Sequence, residues 1–394
     1  MSVKGIFTSD AGIAGERKTD LAGSLLKFVP NGTAQLLALS SGMKSAGAGD
    51  VIITWFEENY NTGRVSITNN ASTGTSITVS AADATNVVAG QLYYVEASGE
   101  VIFVNSITTT TLTVTRGFGD TSATAVDGSS TVKPMQLIGT AFEEGSSRPS
   151  AIANIGYPVF NYTQIFRNSW DVTGTLTAVE FVTGDKTAKN RGDALTFHAE
   201  SIERSMLWGR KTVGMLNSKP FRTLQGLVPS IATNVSTQST SVKYTDMRTF
   251  LENVYLYNIA GAPNERIAFC GNSVINVIDT LAKTWGYMNI TPGQTEFGMN
   301  VRKWMTPHGN ITLMTHPLMS INPVFTKELY VLHPASIRLR WLRKTFEDTY
   351  DQNGQRAGVD ANYGVFTSEL SLEFKGEKCS GKFTGIDTAN VSAL

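Results

Sequence analysis

Hydrophobic and polar positions change their pattern several times along the chain. In residues 1–50, rich in Gly, Ala and Ser, apolar positions are scattered (Leu25, Leu26, Phe28, Leu36, Leu37, Leu39). That is too little to form a core, so the stretch reads as an arm with at most one short helical turn, ordered by a partner. From Val51 the texture becomes strand-like. Residues 51–56 form one strand, Asn61-Thr62-Gly63 a turn, and residues 65–68 the next strand. Short β runs follow at 76–80, 92–96, 101–104 and 112–115, with Ser98-Gly99 as a tight turn. The region is rich in Thr, Val and Ser, shows no 3.6 period, and predicts a small β-sandwich or barrel ending between Pro134 and Glu144.

Helical periodicity comes next. Residues 170–182 alternate as a strand, and residues 193–210 carry Leu195, Ala199, Ile202 and Met206 on one face, with Glu200 and Arg204 paired toward solvent. Lys186, Lys189 and Arg191 precede this helix, and Arg210 and Lys211 end it. A scaffold helix with a solvated charged face is the simpler reading, and a DNA-contacting face the sharper one. After a Ser/Thr-rich linker at 230–241, Thr245-Asp246 caps a helix bearing Met247, Phe250, Val254 and Tyr257. Residues 266–270 read as a buried strand that turns at Gly271-Asn272-Ser273 into a helix with the stripe Val274, Ile278, Leu281 and Trp285, closed by Gly286. Residues 301–305 and 311–314 form a hairpin, and strands return at 329–332, 337–342 and 369–374. Strands surrounding helices in this order indicate an α+β fold.

Composition narrows the picture. The chain has 394 residues, 17% of them charged, with Lys+Arg and Asp+Glu equal at 33 each. The charged fraction is below the roughly 25% usual for soluble domains, as suits a surface turned toward other subunits. Zero net charge argues against a dedicated nucleic-acid binder, while leaving room for a wall that faces DNA with weak contact. No apolar run reaches the roughly 20 residues of a membrane span, and no signal-like segment follows Met1, so neither a membrane nor a secretory route is expected. The start at Met1 also leads us to expect no cleaved N-terminal scaffolding segment. Two cysteines, Cys270 and Cys379, are read as buried small hydrophobes in a reducing compartment.

Catalytic patterns fail one by one. Gly209-Arg210-Lys211-Thr212 lacks the spacing of a phosphate-binding loop. Gly271-Asn272-Ser273 lacks the final Gly of a nucleophile elbow, so Ser273 is expected to act as a helix N-cap. Gly117-Phe118-Gly119 is followed by no helix. His198, His308, His316 and His333 show no metal-ligand spacing, and His308 and His316 are expected to be exposed loop imidazoles. The densest basic stretch is Arg338-Leu339-Arg340-Trp341-Leu342-Arg343-Lys344. On a strand Arg338 and Arg340 share one face, leaving a solvated face, inter-subunit ion pairing or nucleic-acid contact as alternatives.

The element order resembles the major capsid proteins of tailed phages with the Hong Kong 97-type fold, from about residue 51 to 386. The stretch from Gly90-Gln91-Leu92-Tyr93-Tyr94-Val95 through Leu112-Thr113-Val114-Thr115-Arg116-Gly117-Phe118-Gly119-Asp120-Thr121 looks like the β-rich insertion of one subfamily, with Asp120 where that pattern has a second Gly. Asn161-Tyr162-Thr163-Gln164-Ile165-Phe166 and the long helix look like the lead into a peripheral domain. Residues 266–271 and 300–318 resemble an axial domain, and residues 329–334 and 367–373 the strands that return.

The resemblance implies an N-terminal arm (1–50), an extended loop (51–145) with an inserted all-β module (about 65–135), a peripheral domain with a spine helix (146–213), an axial domain (214–328) and return strands with the C-terminus (329–394). The implied function is structural. Subunits self-assemble into the hexamers and pentamers of an icosahedral head around double-stranded DNA, with no catalysis, cofactor or metal. Arm and loop would reach onto neighbours by strand addition and charge pairing, and the module would decorate or reinforce. We expect inter-subunit contacts at Trp55, Glu57, Glu58, Arg64, Arg338 and Arg340. Implied partners are further copies of the chain, scaffolding, portal and decoration proteins, and packaged DNA by weak non-specific contact. The implied place is the virion, after assembly in the host cytoplasm. Alternatives are an encapsulin-like nanocompartment shell, separable by its protein cargo, a β-rich tail or fibre protein, and a secreted enzyme.

Overall fold

The computed structural model describes residues 44–68, 74–124, 133–181, 184–238, 242–285, 290–296, 299–350 and 360–386. The chain runs through β1 (Lys44–Gly47), β2 (Ile52–Glu57), β3 (Arg64–Ile67), β4 (Ser76–Thr78), the one-turn helix α1 (Ala81–Ala84), β5 (Gln91–Val95), β6 (Val101–Thr108), β7 (Thr111–Thr115) and β8 (Lys133–Thr140). Next come β9 (Tyr157–Tyr162), β10 (Gln164–Thr173), α2 (Gly174–Ala178), α3 (Lys186–Trp208), the hairpin β11 (Thr212–Leu216) and β12 (Lys219–Thr223), α4 (Leu227–Ser230) and β13 (Val235–Thr237). The rest is α5 (Tyr244–Tyr255), β14 (Glu265–Cys270), α6 (Asn272–Trp285), β15 (Ile290–Glu296), β16 (Met299–Met305), β17 (Asn310–Thr315), α7 (Pro317–Ile321), β18 (Leu329–Leu332), β19 (Ile337–Tyr350), β20 (Ala361–Phe374) and β21 (Gly381–Thr384). The fold class is α+β. Phe56–Pro158 forms one compact unit, and the described residues before Phe56 and after Pro158 form the other.

In the first unit the strands run β3-β8-β5-β6-β7-β4, and an antiparallel bridge from Ile67 to Val79 joins the two ends. The module is therefore a closed six-stranded barrel. Alternate residues of each strand, such as Val65, Ile67, Tyr93, Val95, Ile102, Val104, Leu112 and Val114, fill its interior. Buried Glu100 clasps the segment after β7. It accepts from Arg116 Nε at 2.7 Å, from the amide of Gly117 at 2.9 Å and from that of Thr124 at 3.1 Å. Burial would raise its carboxyl, yet these donors together hold it below the usual range. Asp120 takes a φ of 63°, so it adopts the glycine-like backbone that the resemblance led us to expect of a Gly.

In the second unit the sheet β1-β19-β20-β10 lies against α3. β10 ends at Thr173, whose hydroxyl accepts from the amide of Leu176 and starts α2, so the strand expected to reach residue 182 stops early. Helix α3 begins seven residues before the expected Asp193. The Asp185 carboxylate caps it by accepting from the amides of Thr187 (2.8 Å) and Ala188 (3.3 Å), and its polar first turns carry no apolar period to read. Its inner face is also rotated from expectation. Ala194, His198, Ile202 and Met206 are buried, whereas Leu195 is 47% exposed. Two polar side chains on that face conceal it in the sequence: His198 bonds Asn168 (3.0 Å) and Ser368 (2.7 Å), and Glu203 bonds His316 (3.0 Å). Glu200 and Arg204 pair toward solvent at 2.7 Å, as read from the sequence. At its end the chain doubles back so closely that a Cβ on Gly226 would stand 2.8 Å from the carbonyl of Leu207.

The sheet β13-β21-β18-β14-β17-β16-β15 packs against α5 and α6. The linker at 230–241 supplies one of its strands, β13. In α5 the Asp246 carboxylate accepts from the amide of Lys243, and Met247, Phe250, Leu251 and Val254 are buried, while Tyr257 lies past the helix. Ser273 sits inside the first turn of α6 and not at its cap, 3.3 Å from the hydroxyl of Thr326. The Trp285 side chain and Gly286 lie outside the described residues. Among the described residues no helix is long and apolar enough to cross a membrane, and no group of three His, Cys, Asp or Glu could hold a metal.

The exposed-imidazole expectation is corrected: His316, like His198 and His333, is buried. His333 accepts from the amide of Ala335 through Nδ1 (3.1 Å), and its Nε2 lies 2.9 Å from Asn258 Oδ1, so both nitrogens are engaged in the neutral ring. Burial, then the nearby Arg266 cation, lowers its pKa from 6.5 to about 4. A proton on Nδ1 would break the bond to Ala335. The folded state binds fewer protons than the unfolded one, so stability should be full above about pH 6.5 and fall as pH drops through about 4. His198, lowered by burial, acts in the same direction. Urea midpoints measured across that window should decline with acid, and His333→Asn should flatten the decline. A slope unchanged by the substitution would contradict this assignment.

Candidate inter-subunit surfaces

Strand β2 alternates cleanly. Ile53 and Trp55 are buried, Ile52 and Thr54 face outward, and Phe56 is 75% exposed. Trp55 is thus anchored within its own chain, and the outward aromatic positions are Phe56 and, beyond the strand, Tyr60 at 81%. Glu57 is half-buried and accepts from the Tyr157 hydroxyl at 3.3 Å, while Glu58 is exposed. β2 pairs with β9 in a two-stranded ribbon, so among the described strands each keeps one edge without a ladder partner. Such edges invite another strand.

The three arginines singled out from the sequence have different fates. Arg64 forms a two-pronged pair with Glu96, Nε and Nη2 each 2.7 Å from a carboxylate oxygen, and its bonds hold the Glu96 carboxyl below the usual range. The pair is exposed and adds little to stability. Arg340 lies 3.6 Å from Glu373, which also receives Lys375 at 2.7 Å, and Arg343 pairs with Glu369 at 2.8 Å. Arg338 stands opposite Glu373 in the β19–β20 register, but the carboxylate is occupied by the other two bases. Among the described residues Arg338 has no acidic side chain in ion-pair reach. It lines a cavity with Lys44, Glu265 and His333, beside the parallel pairing of β1 with β19.

Sequence reading missed the hairpin β11–β12. Its signal was present: Asn217-Ser218 between Val213-Gly214-Met215-Leu216 and Pro220-Phe221 matches an Asn-led two-residue turn. Both turn residues take positive φ, 50° and 60°, and both faces of the hairpin carry exposed apolar side chains. The buried pair of Glu203 with His316 was also missed, because two polar residues far apart in sequence give no local pattern.

Among the described residues, the geometry shows packed cores together with several exposed apolar or unpaired elements. Comparison with known proteins gives it a context. The family model described as SU10 major capsid protein matches residues 5–387. A curated relative, the major capsid protein of Pseudomonas phage PaMx41, is 28% identical over 98% of this chain and 96% of its own length. Solved structures similar to the chain include one from Mycobacterium phage Cain (10% identity, TM-score 0.49, 99% of this chain and 100% of that one). Another is the holo-SrpI encapsulin complex from Synechococcus elongatus PCC 7942 (10% identity, TM-score 0.43, 62% and 81%).

The ion pairs make a prediction about folding. Glu373→Ala should lower the unfolding free energy of the unassembled chain by about 1–2 kcal/mol, since it strips a buried acceptor from two bases that regain only part of their solvation. Arg338→Ala should change it by less than about 0.5 kcal/mol. Urea titration of both variants checks the contrast, and equal losses would refute it.

Proposed function

Because this chain belongs to the SU10 major capsid protein family and is a phage major capsid protein, we propose that its work is done entirely by the surfaces it presents to further copies of itself. Capsid proteins self-assemble into shells, so the chain is a homo-oligomer and a part of the virion capsid. We read the shell as an icosahedral head of hexamers and pentamers with Hong Kong 97-type subunits, assembled in the host cytoplasm around scaffolding and portal proteins. Double-stranded DNA fills it, and the zero net charge of the chain suits a wall that touches DNA weakly. For the arm, loop, module, peripheral and axial domains and return strands we propose the limits read from the sequence. The barrel serves as the reinforcing or decorated module of the outer surface.

The observation that carries this reading is the family match across residues 5–387. The surfaces support it. The ribbon β2–β9 leaves Phe56 exposed on a strand whose outer edge has no partner among the described strands, a hazard on a monomer and an asset in a shell. Of the expected contact residues, Glu58 and Arg338 are the most available to a neighbour. Trp55, Glu57, Arg64 and Arg340 hold the frame that presents them.

Expression of the chain alone, followed by size exclusion and negative-stain electron microscopy, tests the proposal. Capsomer rings or closed particles are expected. A stable monomer that stays monomeric when scaffolding protein is co-expressed would overturn it. Deleting residues 65–135 should still yield rings, but particles that fall apart at lower denaturant. Equally stable particles would remove the reinforcing role.

A further inference from the structure

Hairpin β11–β12 is a two-stranded element with both faces in water. Val213 with Arg222 and Met215 with Pro220 share one face, and Gly214 with Phe221 and Leu216 with Lys219 share the other. Met215 is 73% and Leu216 65% exposed. A lone hairpin is marginal in water, yet this one is braced at its base. The amide of Lys211 donates to Gln225 Oε1 (3.0 Å) and that of Thr212 to Thr223 Oγ1 (2.9 Å). The Phe221 ring covers Gly214 so closely that a Cβ there would stand 2.6 Å from it. The result is a hairpin held at its base with exposed apolar side chains toward its tip.

Its charge is one-sided. Residues 210–223 hold Arg210, Lys211, Lys219 and Arg222, and no acid occurs between Glu203 and Asp246. Residues 45–63 are the reverse, with Asp50, Glu57 and Glu58 and no base, and they carry the exposed aromatics Phe56 and Tyr60 on either side of Glu58. Apolar patches rimmed by charge mark protein contacts, and here one chain carries both complementary halves. Contact between two different patches of identical subunits is head-to-tail, and it repeats until a ring closes.

We propose that the hairpin tip docks on residues 56–60 of a second copy, Met215 and Leu216 packing against Phe56 and Tyr60 while Lys219 meets Glu58. This rests on the assembly reading above and commits it to a particular pair of segments.

Cysteine pairing tests the contact. Cys270 and Cys379 are buried, so particles of a Tyr60→Cys, Met215→Cys double variant offer only the new thiols to a mild oxidant. A ladder of covalent oligomers is expected on a non-reducing denaturing gel, with single-cysteine variants staying monomeric. Particles that yield only monomer, or a faster-migrating monomer closed on itself, would overturn the proposal. Charge exchange gives an independent readout. Lys219→Glu should cut the assembled fraction at least tenfold, and adding Glu58→Lys should restore it. Undiminished assembly in the single variant, or no recovery in the double, would also overturn it. If the unmodified chain forms no particles even with scaffolding protein co-expressed, the assembly reading itself has failed, and the docking proposal falls with it.

Discussion

Strand β20 is covered on both faces from Phe366 to Phe374, and the rest of the second unit is organised around how that is tolerated. One face is apolar, with Leu370, Leu372 and Phe374 in the core that holds α3. The other carries Thr367, Glu369, Ser371 and Glu373, all buried. Buried carboxylates are tolerable only when paired. Arg343 and Arg340 of β19, together with Lys375, supply the pairs, and Thr163 adds a hydroxyl to Glu369. Register is thereby fixed twice. A slip of one residue would turn the acids onto α3 and the leucines onto the arginines. With β19 and β20 locked, β10 has one place to pair and α3 one surface to lie on.

This constraint explains which basic residues of β19 lack an acidic partner among the described residues. Cross-strand pairing consumes Arg340 and Arg343 inside the subunit and leaves Arg338 at the end of the row, beside the first described strand. The same contrast runs through the chain. Cores are closed by interdigitated apolar side chains and by saturated polar groups such as Arg266, whose guanidinium donates to the carbonyls of Cys379, Glu265 and Tyr257. The ribbon and the hairpin are finished structures with unfinished surfaces. A subunit that folds first and associates afterwards requires that division.

Much of this was legible in the sequence, wherever burial and local period agree. Five of the six barrel strands were legible because their side chains alternate between interior and solvent, whereas β8 was not read as a strand. Met247, Phe250 and Val254 of α5 were legible because its buried face is apolar, and β14 as an apolar run despite its buried Arg266. Errors gathered where polar residues are buried. His198 and Glu203 disguised the inner face of α3, and His316 looked like a loop imidazole because its partner lies 113 residues away. The start of α3 was hidden because its first turns are polar all round, and only the Asp185 cap marked it. Closure of the barrel rests on one long-range bridge that no local pattern encodes. Of the candidate contact surfaces, the β2 strand was visible as a short run of β-branched and aromatic residues. The hairpin was passed over because its turn is Asn-Ser and not the stronger Asn-Gly.

The central claim is that this chain completes its surfaces only in contact with copies of itself. Hydrogen–deuterium exchange on dissociated subunits and on closed particles tests it most directly. The account predicts that peptides covering Ile52–Glu57 and Thr212–Thr223 gain strong protection on assembly, while those of β20 are already protected in the free subunit and change little. Protection unchanged in the ribbon and hairpin, with the gain confined to other surfaces, would contradict it.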